Sequence, residues 1–267
     1  MTQRMPVLFV GHGDPMIALR QDAITEQLQE IGRTLRQPGV MPKAILAISA
    51  HWFTRGTFVQ KTNQPRHIND MYGFPPELYQ VEYPVRGSAD LSDRVLELLG
   101  DRVQINNEWG IDHGSWTMLV HLFPNAEIPV VQLSINAEAG PDEAYAIGQA
   151  LAPLRDEGYL ILGSGNVVHN LREVRWNQPG GSIATEAFNQ AIIDAVESGS
   201  ADSVLHFDRL PYADYAVPTP EHFLPLIYCL GAAGSDHGEV FNNRSMMGSL
   251  AMTGFLFGEG STVRRMA

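Results

Sequence analysis

Nine histidines are spread along the 267 residues, and four of them, His12, His51, His113 and His169, fall at a junction between an apolar run and a loop, beside glycine or an aromatic residue. A histidine taken alone is most often a surface residue or a hydrogen-bonded core residue. His67, His121, His206 and His237 lack any such context and are read that way. The four junction histidines are read differently, because the strand ends of an open α/β sheet converge on one crevice. His222 is the fifth candidate: Pro218-Thr219-Pro220 makes a rigid approach to it, although a histidine at a helix start can also serve as a cap. Several neutral imidazoles in one cleft suit a borderline divalent ion such as Zn²⁺ or Fe²⁺. The chain has no HExxH or HxH, so spacing by itself leaves the metal reading open.

The elements that must position these side chains follow from periodicity. Ala44–Thr54, AILAISAHWFT, is an apolar run that stops at His51, as expected of a strand covered on both faces. Val7–Val10 repeats the design and runs into Gly11-His12-Gly13-Asp14-Pro15. Val130–Ile135 and Tyr159–Gly163 are two more buried strands, the latter ending in Ser164-Gly165-Asn166-Val167-Val168-His169-Asn170. Between them, helical spacing is predicted at Ile17–Arg36, from Ser88 as N-cap to Gly100, at Thr117–Phe123, at Pro141–Gly158 with Pro153 distorting its last turn, at Ser182–Ser198 and at Phe223–Ala233. Thr57–Gln60 and Val103–Asn106 are brief strand candidates, Lys61–Tyr83 reads as a long irregular loop of the functional kind, and Pro211–Pro220 reads as loop. Met246–Phe257 reads as a closing strand that could run antiparallel. The alternation implies an α/β fold, a single-domain three-layer α/β/α sandwich around a mostly parallel mixed sheet, with residues 1–267 as one catalytic domain.

Composition narrows the partners. A net charge of −12 argues against nucleic acid and anionic membranes, and Arg264-Arg265 is too short a basic run to change that. Cys229 is the sole cysteine, which excludes an internal disulfide and a thiolate cluster, so any metal is held by N and O ligands. No apolar run reaches membrane-spanning length and no signal peptide is evident, which makes the cytoplasm the expected location.

Five segments, GHGDP at 11–15, SAHWFTRGT at 49–57, WGIDHGSW at 109–116, SGNVVHNL at 164–171 and PTPEHFLPL at 218–226, carry a resemblance that covers nearly the whole chain. Together the sequence resembles the LigB-type, class III extradiol ring-cleavage dioxygenases, in the bacterial branch similar to 4,5-DOPA dioxygenase. That resemblance implies a DOPA-like catechol as small-molecule substrate, O₂ as co-substrate, 4,5-extradiol cleavage to a semialdehyde, and one divalent metal per chain: Fe²⁺ for ring cleavage, with Zn²⁺ as an occupant on isolation. It makes His12, His51 and His222 the metal ligands, His169 the acid/base and His113 a catalytic partner of substrate or oxygen. The protocatechuate-type enzymes use a carboxylate as third ligand where this branch uses His222, and the adjacent Glu221 is expected to point elsewhere. With zinc in the seat, His169 could complete a tetrahedron as fourth ligand. Trp52, Phe53, Tyr72, Phe74 and Trp116 are candidates for an aromatic slot, and Arg172 and Arg175 for a substrate carboxylate. Two other readings stay open: a zinc-dependent hydrolase on the same histidines, and a non-catalytic metal-binding member of the fold.

Overall fold

Apolar residues on both sides of consecutive strands force the sheet to be covered twice, and the computed structural model, which describes residues 4–258, shows how. Strand β1 (Val7–Gly11) leads through a short 3₁₀ segment at Pro15–Leu19 into α1 (Ala23–Leu35), β2 (Ala44–Thr54) and β3 (Phe58–Val59). Then come α2 (Ala89–Leu99), β4 (Gln104–Ile105), α3 (His113–Leu122), β5 (Val130–Asn136), α4 (Pro141–Leu151), α5 (Pro153–Asp156) and β6 (Tyr159–Gly165). The rest of the chain supplies α6 (Ile183–Glu197), α7 (Ala201–Leu205), α8 (Ala213–Ala216), α9 (Leu224–Ala233), β7 (Gly238–Phe241), β8 (Ser245–Met246), β9 (Leu250–Ala251) and β10 (Gly254–Phe257).

Eight strands form one sheet in the order β4-β3-β5-β2-β6-β1-β10-β7. The central strands β5, β2, β6 and β1 are parallel, while β10 pairs antiparallel with both β1 and β7. Strand alternation sorts the core onto two faces. Val7, Phe9, Leu46, Ile48 and Ile161 pack with residues of α2, α4, α6 and α9. Leu8, Val10, Ile45, Ala47 and Leu162 pack on the other face with α1 and α3. Each such leucine or isoleucine, buried from water, contributes about 1.5–3 kcal/mol, so burial on both faces holds the two helical layers to the sheet. This is the three-layer α/β/α arrangement that the alternating pattern implies.

Local chemistry moves several element ends away from the periodicity. The helix expected from Ile17 starts at Ala23, because the Asp14 side chain caps the Pro15–Leu19 turn and a capping box of Asp22 and Thr25 restarts the chain as α1. The Asp112 carboxylate accepts from the Ser115 backbone N–H, so α3 begins at His113, not Thr117. Pro153 divides the expected Pro141–Gly158 helix into α4 and α5. The Pro211–Pro220 loop contains the short α8, and β7 lies in a stretch with no strand expected. Met246–Phe257 is three pieces: Met247 and Gly248 take positive φ (54° and 79°), a β8–β9 ladder forms around them, and only Gly254–Phe257 closes the large sheet, antiparallel.

The carboxyl edge of the parallel strands is where the histidines gather. His12 follows β1 directly, and His51 lies near the end of β2, in the stretch between Ile48 and Phe53 where the register with β5 shifts. Lys61–Tyr83 is mostly irregular, with a single 3₁₀ turn at Leu78–Gln80. Among the described residues no helix is long and apolar enough to cross a membrane. Arg264-Arg265 lies outside the described residues.

Candidate metal centre

Hydrogen bonding at the outer nitrogens decides what the inner nitrogens of three histidines can do. The His12 Nδ1 is 3.0 Å from Ser164 Oγ, and that hydroxyl donates its own proton to the Gly114 carbonyl. Ser164 therefore accepts from His12, which places the proton on Nδ1 and the lone pair on Nε2. His51 Nδ1 lies 3.2 Å from Asp70 Oδ2, and His222 Nδ1 lies 3.2 Å from Glu221 Oε1, with the same consequence for each ring. The Nε2 atoms of His12 and His51 face each other at 3.3 Å, and the buried His222 Nε2 has no partner among the described residues. One ligand atom from each of His12, His51 and His222 falls within 4.8 Å of the others. Lone pairs so close repel unless a proton or a cation lies between them. For metal–nitrogen bonds of about 2.1 Å, a tetrahedral N···N edge is about 3.4 Å, close to the His12–His51 spacing. The donor set thus fits one divalent ion, with a hydroxyl or carboxylate behind each imidazole in the pattern that orients metal-bound histidines.

Burial and charge act on these rings in opposite directions. Desolvation, and then the proximity of His51, His222, His113 and His169, pushes His12 well below the usual imidazole range. His222 is pushed down in the same way by burial and by its histidine neighbours. Burial also opposes charge on His51, but the Asp70 hydrogen bond and the negative charges of Asp112, Asp70 and Glu221 outweigh it and raise this ring. Asp70 itself is partly buried, which alone would raise it; its hydrogen bonds with His113 and His51 hold the carboxyl far below the usual range. A carboxylate that stays ionised supports a cation at the centre.

Close approach of backbones brings these groups together. A Cβ on Gly165 would lie 2.1 Å from the His222 carbonyl oxygen, so only glycine at the end of β6 lets the segment before α9 approach. Asn166 N–H then donates to that same carbonyl at 2.8 Å. Gly114 has the same role beside His51, where a Cβ would lie 2.8 Å from the imidazole Cδ2. Beneath the site Asp112 is fully buried and accepts from Ser49 Oγ (2.7 Å), Trp109 Nε1 (3.0 Å), the Ser115 N–H (3.2 Å) and Gln132 Nε2. Four donors satisfy this carboxylate, which couples β2, α3 and β5 under the histidines.

His113 and His169 flank the triad. The His113 backbone N–H donates to Asp70 Oδ1 at 2.9 Å, its ring Nδ1 is also 2.9 Å from that oxygen, and its ring centroid is 3.9 Å from that of His51. His169 lies flat on His222 with centroids 3.5 Å apart and rings 7° from parallel. It groups with Glu221 and His222, not with His12 and His51. Burial is the main cause that lowers its ring to about 4, so the ring is neutral at physiological pH.

A cavity of about 430 Å³ in front of the imidazoles touches His12, His51, His113, His169 and His222. Tyr72 and Phe74 line it, as expected of an aromatic slot. Trp52 does not: successive strand residues face opposite ways, and next to His51 it is turned away and buried. Trp116 is buried in α3 with Nε1 donating to the Ile68 carbonyl, and Phe53 is also off the lining. Arg172 and Arg175 are exposed and away from the cavity; Leu171, Val174 and Trp176 of the same segment line it instead. Glu221, expected to point elsewhere, backs His222. Asp70 and Ser164 gave no local sequence signal, since each acts through a partner that folding alone supplies.

Comparison with known proteins gives an independent view. Residues 6–255 match the family model described as the catalytic LigB subunit of aromatic ring-opening dioxygenase. The chain is 41% identical to 4,5-DOPA dioxygenase extradiol of Escherichia coli (strain K12), with 93% of each chain covered. To the protein of the same description from Beta vulgaris it is 37% identical, covering 85% of this chain and 87% of the relative. A crystal structure of an uncharacterized protein from Escherichia coli K12 superposes with a TM-score of 0.80 at 37% identity, covering 96% of this chain and all of the other.

Proposed function

From the premise that this chain belongs to the LigB family and is an extradiol dioxygenase of the 4,5-DOPA dioxygenase-like kind, we propose that its substrate is a DOPA-like catechol. Such a substrate is a 3,4-dihydroxyphenyl ring with an alkyl arm, opened by O₂ through 4,5-extradiol cleavage to a semialdehyde. The observation that carries this reading is the convergence of three imidazoles with their outer nitrogens engaged and their Nε2 atoms turned inward. His12, His51 and His222 would hold one divalent metal. When bound, Fe²⁺ supplies the redox chemistry that O₂ activation needs, which Zn²⁺ in the same seat lacks.

The remaining residues handle substrate and protons. His169, neutral and at the cavity wall, accepts the second phenolic proton and returns it as the ring opens. Its stacking on His222 sets it beside the triad, within reach of this exchange. His113, anchored by Asp70, presents its other nitrogen to a substrate hydroxyl or to oxygen. Met71, Phe74, Val174 and Leu250 give the cavity an apolar wall beside the imidazoles. The whole chain acts as one catalytic domain in the cytoplasm, and its net charge of −12 disfavours a nucleic-acid partner.

The test is anaerobic loading with Fe²⁺, followed by air and a catechol. A yellow semialdehyde is expected. A catechol left intact by fully Fe²⁺-loaded protein would remove the extradiol reading, and is the outcome a hydrolase would give.

A further inference from the structure

Consecutive residues at the end of β6 hold the His12 segment at three points. Ser164 Oγ engages the imidazole Nδ1 at 3.0 Å, the Gly165 carbonyl accepts the His12 N–H at 3.0 Å, and Asn166 Oδ1 accepts the N–H of Gly13 at 3.3 Å. Gly13 takes a left-handed backbone with φ of 61°, so the chain turns directly after the proposed ligand, and it is the turn that Asn166 holds.

Asn166 reaches well beyond His12. The residue is 1% exposed, and its Nδ2 donates to the Ala251 carbonyl at 2.8 Å while its backbone N–H donates to the His222 carbonyl, also at 2.8 Å. Only an oxygen can receive the Gly13 N–H, and only the amino end can serve the Ala251 carbonyl, so the amide has a single orientation that satisfies both. It touches the segment of His12 through its side chain and that of His222 through its backbone.

The Ala251 bond extends this control to His169. Ala251 belongs to β9, and its own N–H donates to the Val168 carbonyl at 3.0 Å, next to an antiparallel bridge between Leu250 and His169. Both backbone groups of Ala251 are thereby tied to the stretch that runs from Asn166 to His169, which fixes that stretch against β9. A buried amide elsewhere has no such reach. Asn189 of α6 is equally buried, with Nδ2 on Asn243 Oδ1 at 3.0 Å and Oδ1 accepting from Thr253 Oγ1 at 2.7 Å, and it meets none of the histidine segments.

We infer that Asn166 is a positioning residue of the metal centre: its side-chain amide sets the spacing of His12 from His222 and holds His169 alongside them. This role rests on His12, His51 and His222 as the metal seat and on nothing about the substrate.

Asn166→Ala and Asn189→Ala test it as a pair. Melting of the metal-free protein, Zn²⁺ affinity by chelator competition, and the visible d–d absorption of Co²⁺-loaded protein, which reports ligand geometry, are measured on both. Each variant loses a buried, satisfied amide, so each is expected to melt below wild type. Asn166→Ala is expected to weaken Zn²⁺ binding by about 10–100-fold and to alter the Co²⁺ spectrum, whereas Asn189→Ala binds within about threefold and keeps the wild-type spectrum. Asn166→Ser retains a hydroxyl that can serve Gly13 or Ala251 but not both; its affinity is expected to fall between wild type and Asn166→Ala, and it takes the place of Asn166→Ala if that variant does not fold. Wild-type affinity and spectrum in the folded Asn166 variant overturn the role. An equal loss in Asn189→Ala also overturns it, because the effect would then be one of stability alone. If wild-type protein binds neither ion, the metal seat itself fails; if it binds both and the Asn166 variant binds them equally well, the seat stands and only the role of Asn166 falls.

Discussion

Asp70 places Oδ2 3.2 Å from Nδ1 of His51, although the two residues belong to different kinds of structure: one a long irregular loop, the other an interior strand. The second oxygen of the same carboxylate takes the His113 backbone N–H at 2.9 Å, so one side chain orients both a proposed ligand and its neighbour. Replacing Asp70 with asparagine keeps the shape and removes the charge. We expect Asp70→Asn to weaken Zn²⁺ or Fe²⁺ binding by about 10–100-fold, the range typical of a partner behind a metal-bound histidine. Competition against a chelator of known affinity measures this. Binding within about threefold of wild type would show that Asp70 is not an orienting partner of the centre.

Ligand and proton carrier are separated by metal retention. His12→Ala, His51→Ala and His222→Ala each remove an inward-facing nitrogen from the triad and are expected to lose the ion on dialysis. His169→Ala removes a ring stacked on the triad from outside, so it should keep metal near one equivalent per chain while kcat falls by about 10²–10⁴-fold. Metal content by elemental analysis, beside kcat at saturating catechol, distinguishes the two classes. Metal loss in His169→Ala as complete as in His12→Ala would make His169 a fourth ligand.

Acid should destabilise the metal-free protein well before its carboxylates titrate. His12, His222 and His169 have folded values below the unfolded imidazole value of about 6.5. As pH falls below that value the unfolded chain binds protons that the folded one refuses, and stability is lost down to the folded value, about 4 for His169. His51 works in reverse: its raised value adds stability at low pH that disappears as pH rises through the folded value. His67 and His121 are lowered by burial as well, so five depressed rings against one raised ring leave a net loss on acidification, up to about 1.4 kcal/mol per pH unit for each ring in excess. Thermal unfolding of metal-free protein should show the midpoint dropping between pH 7 and 5, with a shallower slope in His169→Gln. A midpoint flat over that interval would contradict the buried, neutral state assigned to these rings.

The parts of this molecule that were legible in advance are those written locally. Buried strands such as Val7–Gly11 and Tyr159–Gly165 are written as the apolar runs Val7–Val10 and Tyr159–Gly163, and their ends announce the histidines that follow. The Ser88 cap and the Gly100 stop of α2 are side-chain and backbone chemistry confined to one turn. What could not be read depends on contacts between distant segments. Asp70 looks like any loop aspartate until His51 and His113 are brought beside it, and Trp176 like a surface tryptophan until folding brings it to the cavity that the five histidines line. Trp52 was misplaced for the opposite reason: adjacency to His51 in sequence means opposition in a strand. Met246–Phe257 read as one strand because hydropathy does not register the positive φ of Met247 and Gly248.

Glycine at 165 provides the last and sharpest test, because it links fold and site through a single atom. An added Cβ would lie 2.1 Å from the His222 carbonyl oxygen and 3.2 Å from Pro225 Cγ, and backbone on either side cannot swing away as a flexible side chain would. Either β6 or the segment entering α9 has to move, and His222 moves with it. Gly165→Ala should therefore cost about 1–3 kcal/mol of stability, as overpacking does, and lower metal affinity together with it. Gly180→Ala is the matched control, since a Cβ there meets nothing within 4 Å and its φ is not positive; it should change stability by less than about 1 kcal/mol. Thermal melts and Zn²⁺ titrations on both variants settle the comparison. If Gly165→Ala melts with wild type and binds Zn²⁺ equally well, the close approach of β6 to His222 is not what holds this ligand in place.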